Sequence, residues 1–286
     1  MLVIPMLIII IFSYIPMVGI VIAFQRFIPA RGFLGDQQWI GFGNFEYILS
    51  LPNATRALKN TVIIAFFKIT LGELAPITFA ILLNEMSSPR LKKTLQTSLY
   101  LPHFLSWIIL GGIVIEMLSP SHGVVNTLLT KIGIEPIFFL GNNFWFPITI
   151  VVTYVWKVFG FGTIIYLAAI SNISPHLYEA ARIDGANRVK QIFHITLPGM
   201  ARIIILIAVL NLGNVLNAGF DQIFNLYSPR VYESGDILDT FIYRIGILEA
   251  QFGPSTAVGL FKSAVSLLFI SGSYIAAKKF ADYQVF

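Results

Sequence analysis

The sequence predicts an all-α integral membrane protein with six transmembrane helices and a helix-turn-helix loop on its inner side, in one membrane domain over residues 1–286. Three observations predict it. Hydrophobic residues make up 56% of the 286 and charged residues only 12%, about half the charge that a soluble domain carries. The apolar residues are gathered into stretches that reach the roughly 20 residues a helix needs to cross a bilayer core. The charges between those stretches are unevenly divided in sign. The same composition excludes disorder. Its net charge of +5, from 19 basic and 14 acidic residues, is too sparse for a nucleic-acid-binding face. With no cysteine, thiolate metal sites, disulfides and a cysteine nucleophile are excluded as well.

Residues 1–25 hold no charge, which places the first span at 2–24. This stretch lacks a basic leading region and a small-residue cleavage site, so an uncleaved span is expected and not a signal peptide. Its abrupt apolar start suggests a polar tail ahead of it. The second span covers roughly 60–84 and contains Lys68 and Glu73; the third lies between Lys93 and Glu116. The fourth, roughly 145–170, has Lys157 at its middle; the fifth runs from about Gly199 to Gly219; the sixth, roughly 255–277, contains Lys262. An even number of spans puts both termini on one side.

The odd connections (25–59, 119–144, 222–254) are long and rich in Gly, Pro, Asn and aromatics, whereas the even ones are 85–94 and 171–198. With the even connections and both termini inside, the inner face holds nine basic and four acidic residues. The outer connections then hold seven of each sign and the spans three of each. The whole surplus lies inside, as the positive-inside rule requires.

The inner segment 176–198 reads HLYEAARIDGANRVKQIFHITLP. It is expected to form a helix, a break at Gly185 and a second helix that ends at Pro198 before the fifth span. Ala180 and Ala181 give a smooth face, and Gly185 permits a backbone turn that other residues resist. Leu177, Tyr178, Ile183, Ile192, Phe193 and Ile195 are apolar residues facing a water compartment, a row that needs either a protein partner or the inner leaflet of the bilayer. The order of residues separates the two readings. Glu179-Ala180-Ala181, then three residues, Gly185, nine residues, Ile195, one residue and Leu197-Pro198 precede the penultimate span. This pattern resembles the signature of permease subunits of bacterial ATP-binding-cassette importers, matched at every defined position. The resemblance implies that the loop docks on a cytoplasmic ATPase, with Glu179, Ala180, Ala181, Asp184 and Gly185 as the coupling contact. It also implies two such ATPases carrying the ATP and magnesium, a second homologous permease chain and an extracytoplasmic solute-binding protein. No cofactor is expected in this chain, which lies in lipid in the bacterial inner membrane with its termini in the cytoplasm. Accordingly, no phosphate-cradling G-x-x-x-x-G-K-[ST] occurs.

Asn60-Thr61, Leu101-Pro102, Gly123-x-x-Asn126 and Phe220-Asp221 look like the carbohydrate branch of that family. Members similar to the maltose permease carry two more N-terminal spans and a large outer domain, which are not matched here. The tail from Phe220 looks most like permeases for oligosaccharides of acidic polysaccharides, of the alginate or aldouronate type.

A sugar is held by planar amides, hydroxyls and aromatic faces. Asn211, Asn214, Asn217, Asp221 and Asn225 follow in steps of three, three, four and four, which would line one helical face. The stripe is read either as the lining of a translocation path or as glue between helices; Asp221, near the outer end, has a structural reading too. Span four adds Trp156, and the family's spacing from the loop carries substrate contact over to Val158 and Phe161. Gly160 and Gly162 admit either a ligand or a close helix. Lys157 near mid-bilayer would cost about 2.5–3.5 kcal/mol if unpartnered. It is read either as an ion pair with Glu73, Glu116 or the other permease chain, or as the wall of a basic cavity for a uronate carboxylate. Lys68 and Glu73 are about 140° apart on a helix and not a simple pair. The outer stretch 228–249 is expected to be a short amphipathic helix that docks the binding protein or closes the cavity. Two other classes of membrane protein compete with this reading. An ion-coupled transporter, with Glu73 and Asp221 as coupling carboxylates, leaves the loop pattern unexplained. A membrane enzyme would need a cluster that His103, His122, His176 and His194 are too dispersed to form.

Overall fold

The computed structural model describes residues 3–33 and 35–281. Among the described residues five helices are long and apolar enough to cross a membrane, and the number is six when a bent helix pair is counted as one span. The first is α1, Val3–Phe24. It changes from α to a π turn over Ile10–Tyr14 and then to a 3-10 helix over Ile15–Phe24. Pro16 sits at that change; it lacks a donor and its ring crowds the preceding turn, so the winding must adjust. A two-residue antiparallel ribbon, β1 (Gln25–Arg26) with β2 (Gln38–Trp39), leads through a short helix, Gly43–Ser50, to the second span.

That span, α2, runs over Pro52–Glu85 and is longer at its start than the apolar stretch suggested. The third span departs from the expectation of one continuous helix. Helix α3 (Pro89–Phe104) and helix α4 (Trp107–Met117) meet at an angle of 107°. The chain turns tightly through Leu101-Pro102-His103-Phe104, extends at Leu105, and restarts where the Ser106 hydroxyl accepts from the Ile109 amide at 3.4 Å. Apolar content does not reveal such a bend, because His103 and Ser106 are single polar residues within a stretch that is otherwise apolar on both sides.

Helix α5 (Trp145–Ser171) is the fourth span and packs parallel to α2. Phe146 and Ile150 lie with Ile64 and Ala65 at one end, and Tyr166 and Ala169 with Ile77 and Ala80 at the other. Glycines bring helices close along it. A Cβ at Gly162 would meet Pro76 of α2 at 3.0 Å, and one at Gly160 would lie 2.1 Å from the Leu99 carbonyl oxygen of α3. Those two glycines therefore serve helix packing.

Helix α6 (Pro175–Ile183) precedes α7 (Arg188–Leu212). The second helix of this loop does not end at Pro198, as expected. A π turn at Ile192–Thr196 absorbs the proline and α7 runs on through it, the same adjustment as at Pro16. The fifth span instead stops at Leu212, short of Gly219. Asn211 and Asp221 are thus not on one helix; Phe220–Leu226 forms a separate helix, α8.

The stretch after α8 is not one amphipathic helix. It is a turn at Tyr232–Gly235, helix α9 (Leu238–Tyr243) and a π turn at Arg244–Leu248. Val231, Ile237, Leu238, Thr240 and Phe241 are buried in it. Asn60 of α2 donates to the carbonyls of Glu233 (3.0 Å) and Asp236 (3.1 Å), and the Thr61 hydroxyl accepts from the Leu238 amide at 2.8 Å. The last span, α10, covers Phe252–Ala281; Asp282, counted with the inner charges, lies outside the described residues. Asn126 closes the connection after α4 by donating to the Leu118, Ser119 and Ile137 carbonyls, at 3.1 Å each.

Candidate functional site

Between α7 and α8 the helix is interrupted over residues 213–219, and the interruption opens a polar cavity of about 310 Å³. Asn211, Asn214 and Asn217 line it with Lys68 of α2 and Tyr154 of α5. The three asparagines share a face for a reason other than the expected one. Asn214 donates its amide to the Asn211 carbonyl (2.9 Å) and Asn217 to that of Asn214 (2.8 Å). These are i to i+3 bonds, three residues per turn, on which steps of three stack. The later steps of four leave that face. Asp221 is exposed on α8, and Asn225 donates to the Asp221 carbonyl at 2.7 Å while its Cβ would lie 3.3 Å from one built on Gly111. The side-chain bonds of Asn214 and Asn217 are local and long, 3.5 Å to the Leu210 carbonyl and 3.4 Å from the Gly219 amide.

Lys68 lines the cavity although neither the asparagine stripe nor the span-four spacing points to it. Its Nζ donates to the Ala218 carbonyl at 2.5 Å and to Gln222 Oε1 at 2.6 Å, and lies 4.9 Å from the Tyr154 ring centre. Gln222 is itself oriented, donating to the Ile150 carbonyl (2.7 Å) and the Thr153 hydroxyl (2.8 Å). Gly219, at φ +90°, passes so close that a Cβ there would be 3.0 Å from Lys68 Nζ. The signal in the sequence was a lysine inside an apolar span, together with a glycine seven residues past the end of another.

The span-four residues lie elsewhere. Trp156, Lys157, Val158 and Phe161 do not line the cavity. Phe161 stacks flat on His103 at the α3–α4 bend, with ring centres 4.2 Å apart, and Val158 faces Gly72 of α2. Among the described residues Lys157 is paired with neither Glu73 nor Glu116, which corrects the ion-pair expectation within this chain. Its Nζ donates to the carbonyls of Leu105 and, at 3.4 Å, His103, and sits 5.2 Å from the Trp107 ring centre. It satisfies acceptors that the bend frees. Glu73 instead accepts from Tyr166 at 3.3 Å, and Glu116 lies 3.0 Å from His122. Lys262 does carry an acid partner, Asp239 at 2.5 Å.

At the end of the bundle that carries Glu85, α6 and the start of α7 form an elbow. Gly185 stands in the left-handed region at φ +75°, with open space where a Cβ would be. Asn187 caps the second arm by accepting from the Lys190 amide at 2.9 Å. The Tyr178 and Thr196 hydroxyls meet at 3.0 Å, and Arg188 lies 3.5 Å from Glu85. Ile183 is 87% exposed and Phe193 62%. Glu179, Ala180 and Asp184 are exposed beside them, while Ala181 is half-buried.

A bundle of apolar helices with an interrupted span around a polar cavity and an open elbow at one end defines a multi-pass membrane protein built for transport. Residues 76–274 match the model of the binding-protein-dependent transport system inner membrane component, and the chain belongs to that family, whose role is transport and not catalysis. It is 39% identical over 275 residues to the polygalacturonan/rhamnogalacturonan transport system permease protein YteP of Bacillus subtilis (strain 168), covering 96% of this chain and 85% of that one. Among solved structures it is similar to a chain of a bacterial ABC transporter involved in the import of the acidic polysaccharide alginate. The TM-score is 0.90 and the identity 38%, over 98% of this chain and 94% of that one. A second structure, of a bacterial alginate ABC transporter in complex with an alginate pentasaccharide-bound periplasmic protein, matches with TM-score 0.91 at 37% identity, over 100% and 95%.

Proposed function

We propose that this chain is the transmembrane subunit of an ATP-driven importer that moves a uronate-containing oligosaccharide across the cytoplasmic membrane. An external binding protein delivers the sugar, and this chain and a second, different permease chain surround the path. Two cytoplasmic ATPases bind ATP and magnesium, and their motion enters through residues 176–198. Glu179, Ala180, Ala181, Asp184 and Gly185 form that contact. The termini lie in the cytoplasm with the elbow.

The observation that carries the reading is the pairing of two features in one chain. A cavity lined by three spare amides opens inside an interrupted span, and an exposed apolar elbow lies at one end of the bundle. The first suits hydroxyl-rich ligands; the second suits a protein partner. The acidic substrate is supported by the relatives: alginate and polygalacturonan are both polymers of uronic acids. The orientation is supported by the basic surplus of the elbow's end.

Reconstitution tests it. The chain, co-expressed with its partner chains and placed in proteoliposomes with the loaded binding protein, is expected to show ATP hydrolysis stimulated by a uronate oligosaccharide. Gly185→Asp is expected to abolish the stimulation. Stimulation that survives this change would refute the coupling role, and uptake driven by an ion gradient without ATP would refute the class.

A further inference from the structure

We propose that Lys68 is the specificity-determining residue of the cavity, the cation that meets a substrate carboxylate. The inference rests on the reading of an acidic oligosaccharide given above. Three observations carry it. First, Lys68 is only 4% exposed, yet it forms part of the wall of the 310 Å³ cavity. Second, its hydrogen-bond partners are two neutral oxygens, the Ala218 carbonyl and Gln222 Oε1. An ammonium has three N–H bonds, so one remains for a third acceptor. Third, among the described residues no carboxylate lies within ion-pair distance of it. Lys262 and Arg244 by contrast do have one: Lys262 meets Asp239 at 2.5 Å, and Arg244 meets Asp236.

A buried charge is stabilised by an opposite charge or by several hydrogen bonds. Here the protein supplies the bonds and leaves the opposite charge to be brought in. The surrounding groups suit such a visitor. Asn211, Asn214 and Asn217 present amides at the spacing of one 3-10 turn, and Tyr154 presents a ring, so hydroxyls and a sugar face find partners beside the cation. The two oxygens also fix where the ammonium sits, since Gln222 is held by Ile150 and Thr153. Lys157 differs on the decisive point. It too rests on carbonyls, but it does not line the cavity.

The test uses the assembled complex in proteoliposomes, with an oligogalacturonide trisaccharide and the same trisaccharide after reduction of its carboxylates to neutral galactose units. Lys68→Gln is expected to lower uptake of the acidic sugar by about tenfold or more while uptake of the reduced sugar stays within about twofold; Lys68→Arg is expected to keep most acidic uptake. Lys157→Gln is expected to leave the ratio of the two sugars unchanged. Equal loss of both sugars in Lys68→Gln, with the complex still assembled, would overturn the proposal in favour of a structural staple. So would undiminished acidic uptake. If Lys68→Gln does not assemble, Gly219→Ala, whose Cβ would lie 3.0 Å from the ammonium nitrogen, is expected to lower the acidic-to-neutral ratio; an unchanged ratio would overturn the proposal. No preference for the acidic sugar in the unaltered protein would overturn the acidic reading itself, a result distinct from loss of the ratio in the variants.

Discussion

Two segments of similar amphipathic composition, 228–249 and 176–198, end in opposite states. The first folds onto the spans. Asp236 is buried, pairs with Arg244 and accepts from Thr240 at 2.8 Å. Burial opposes the Arg244 charge, yet the Asp236 carboxylate and Tyr232 more than offset it and raise its pKa above the ordinary value. The Tyr227 phenol beside them is pushed up to about 12, by burial first and then by Tyr232 and Asp236. The second segment touches the bundle at few points and leaves Ile183 and Phe193 in the open. Composition sets how much apolar surface a segment has. The buried polar partners, Asn60 and Thr61 on α2 in this case, decide whether the molecule keeps that surface for itself.

The comparison breaks most sharply at Asp236. Asp236→Ala leaves the partly buried Arg244 guanidinium unpaired and is expected to destabilise the subunit by about 3 kcal/mol, the low end for a buried pair, seen as a lowered melting point in detergent. A melting point equal to the unaltered protein would show that the outer segment is not a clamp. Asn60→Ala removes two hydrogen bonds to that segment and is expected to cost about 1–3 kcal/mol in the same assay. Gly185→Ala places a side chain at positive φ and is expected to cost about 1 kcal/mol, with a larger loss in ATPase binding than in stability. Ile183→Ser and Phe193→Ser sharpen the contrast. In the isolated subunit they are expected to change stability by less than about 0.5 kcal/mol, while weakening affinity for the purified ATPase by about tenfold or more. Unchanged affinity would remove the elbow from the interface.

Much of this was legible in the residues. Apolar runs located five spans, since burial in lipid is read directly from side-chain chemistry. The loop pattern located the elbow and its glycine. What escaped was backbone direction. Leu101–Ser106 and residues 213–219 fall within stretches apolar enough to span but do not follow a helical course, and a helical wheel assumes one. The asparagine stripe shows the consequence. Asn211, Asn214 and Asn217 do converge, because their steps of three match a 3-10 turn, whereas Asp221 and Asn225 followed only from an α-helix that is not there. Lys157 drew attention by its mid-span position, yet the structure gives the cavity to Lys68. The distinction depends on which carbonyls each break frees, and no spacing rule encodes that. Pro102 and Gly219 were the visible hints of the two breaks.

The central claim is that the elbow at 176–198 is the surface a cytoplasmic ATPase covers. The chain has no cysteine, so single cysteines report without background. Maleimide labelling of Ile183→Cys is expected to fall by about tenfold when the purified ATPase is added, while labelling of Glu233→Cys in the outer segment stays unchanged. Equal labelling of Ile183→Cys with and without the ATPase, in a complex shown to be assembled, would contradict the claim.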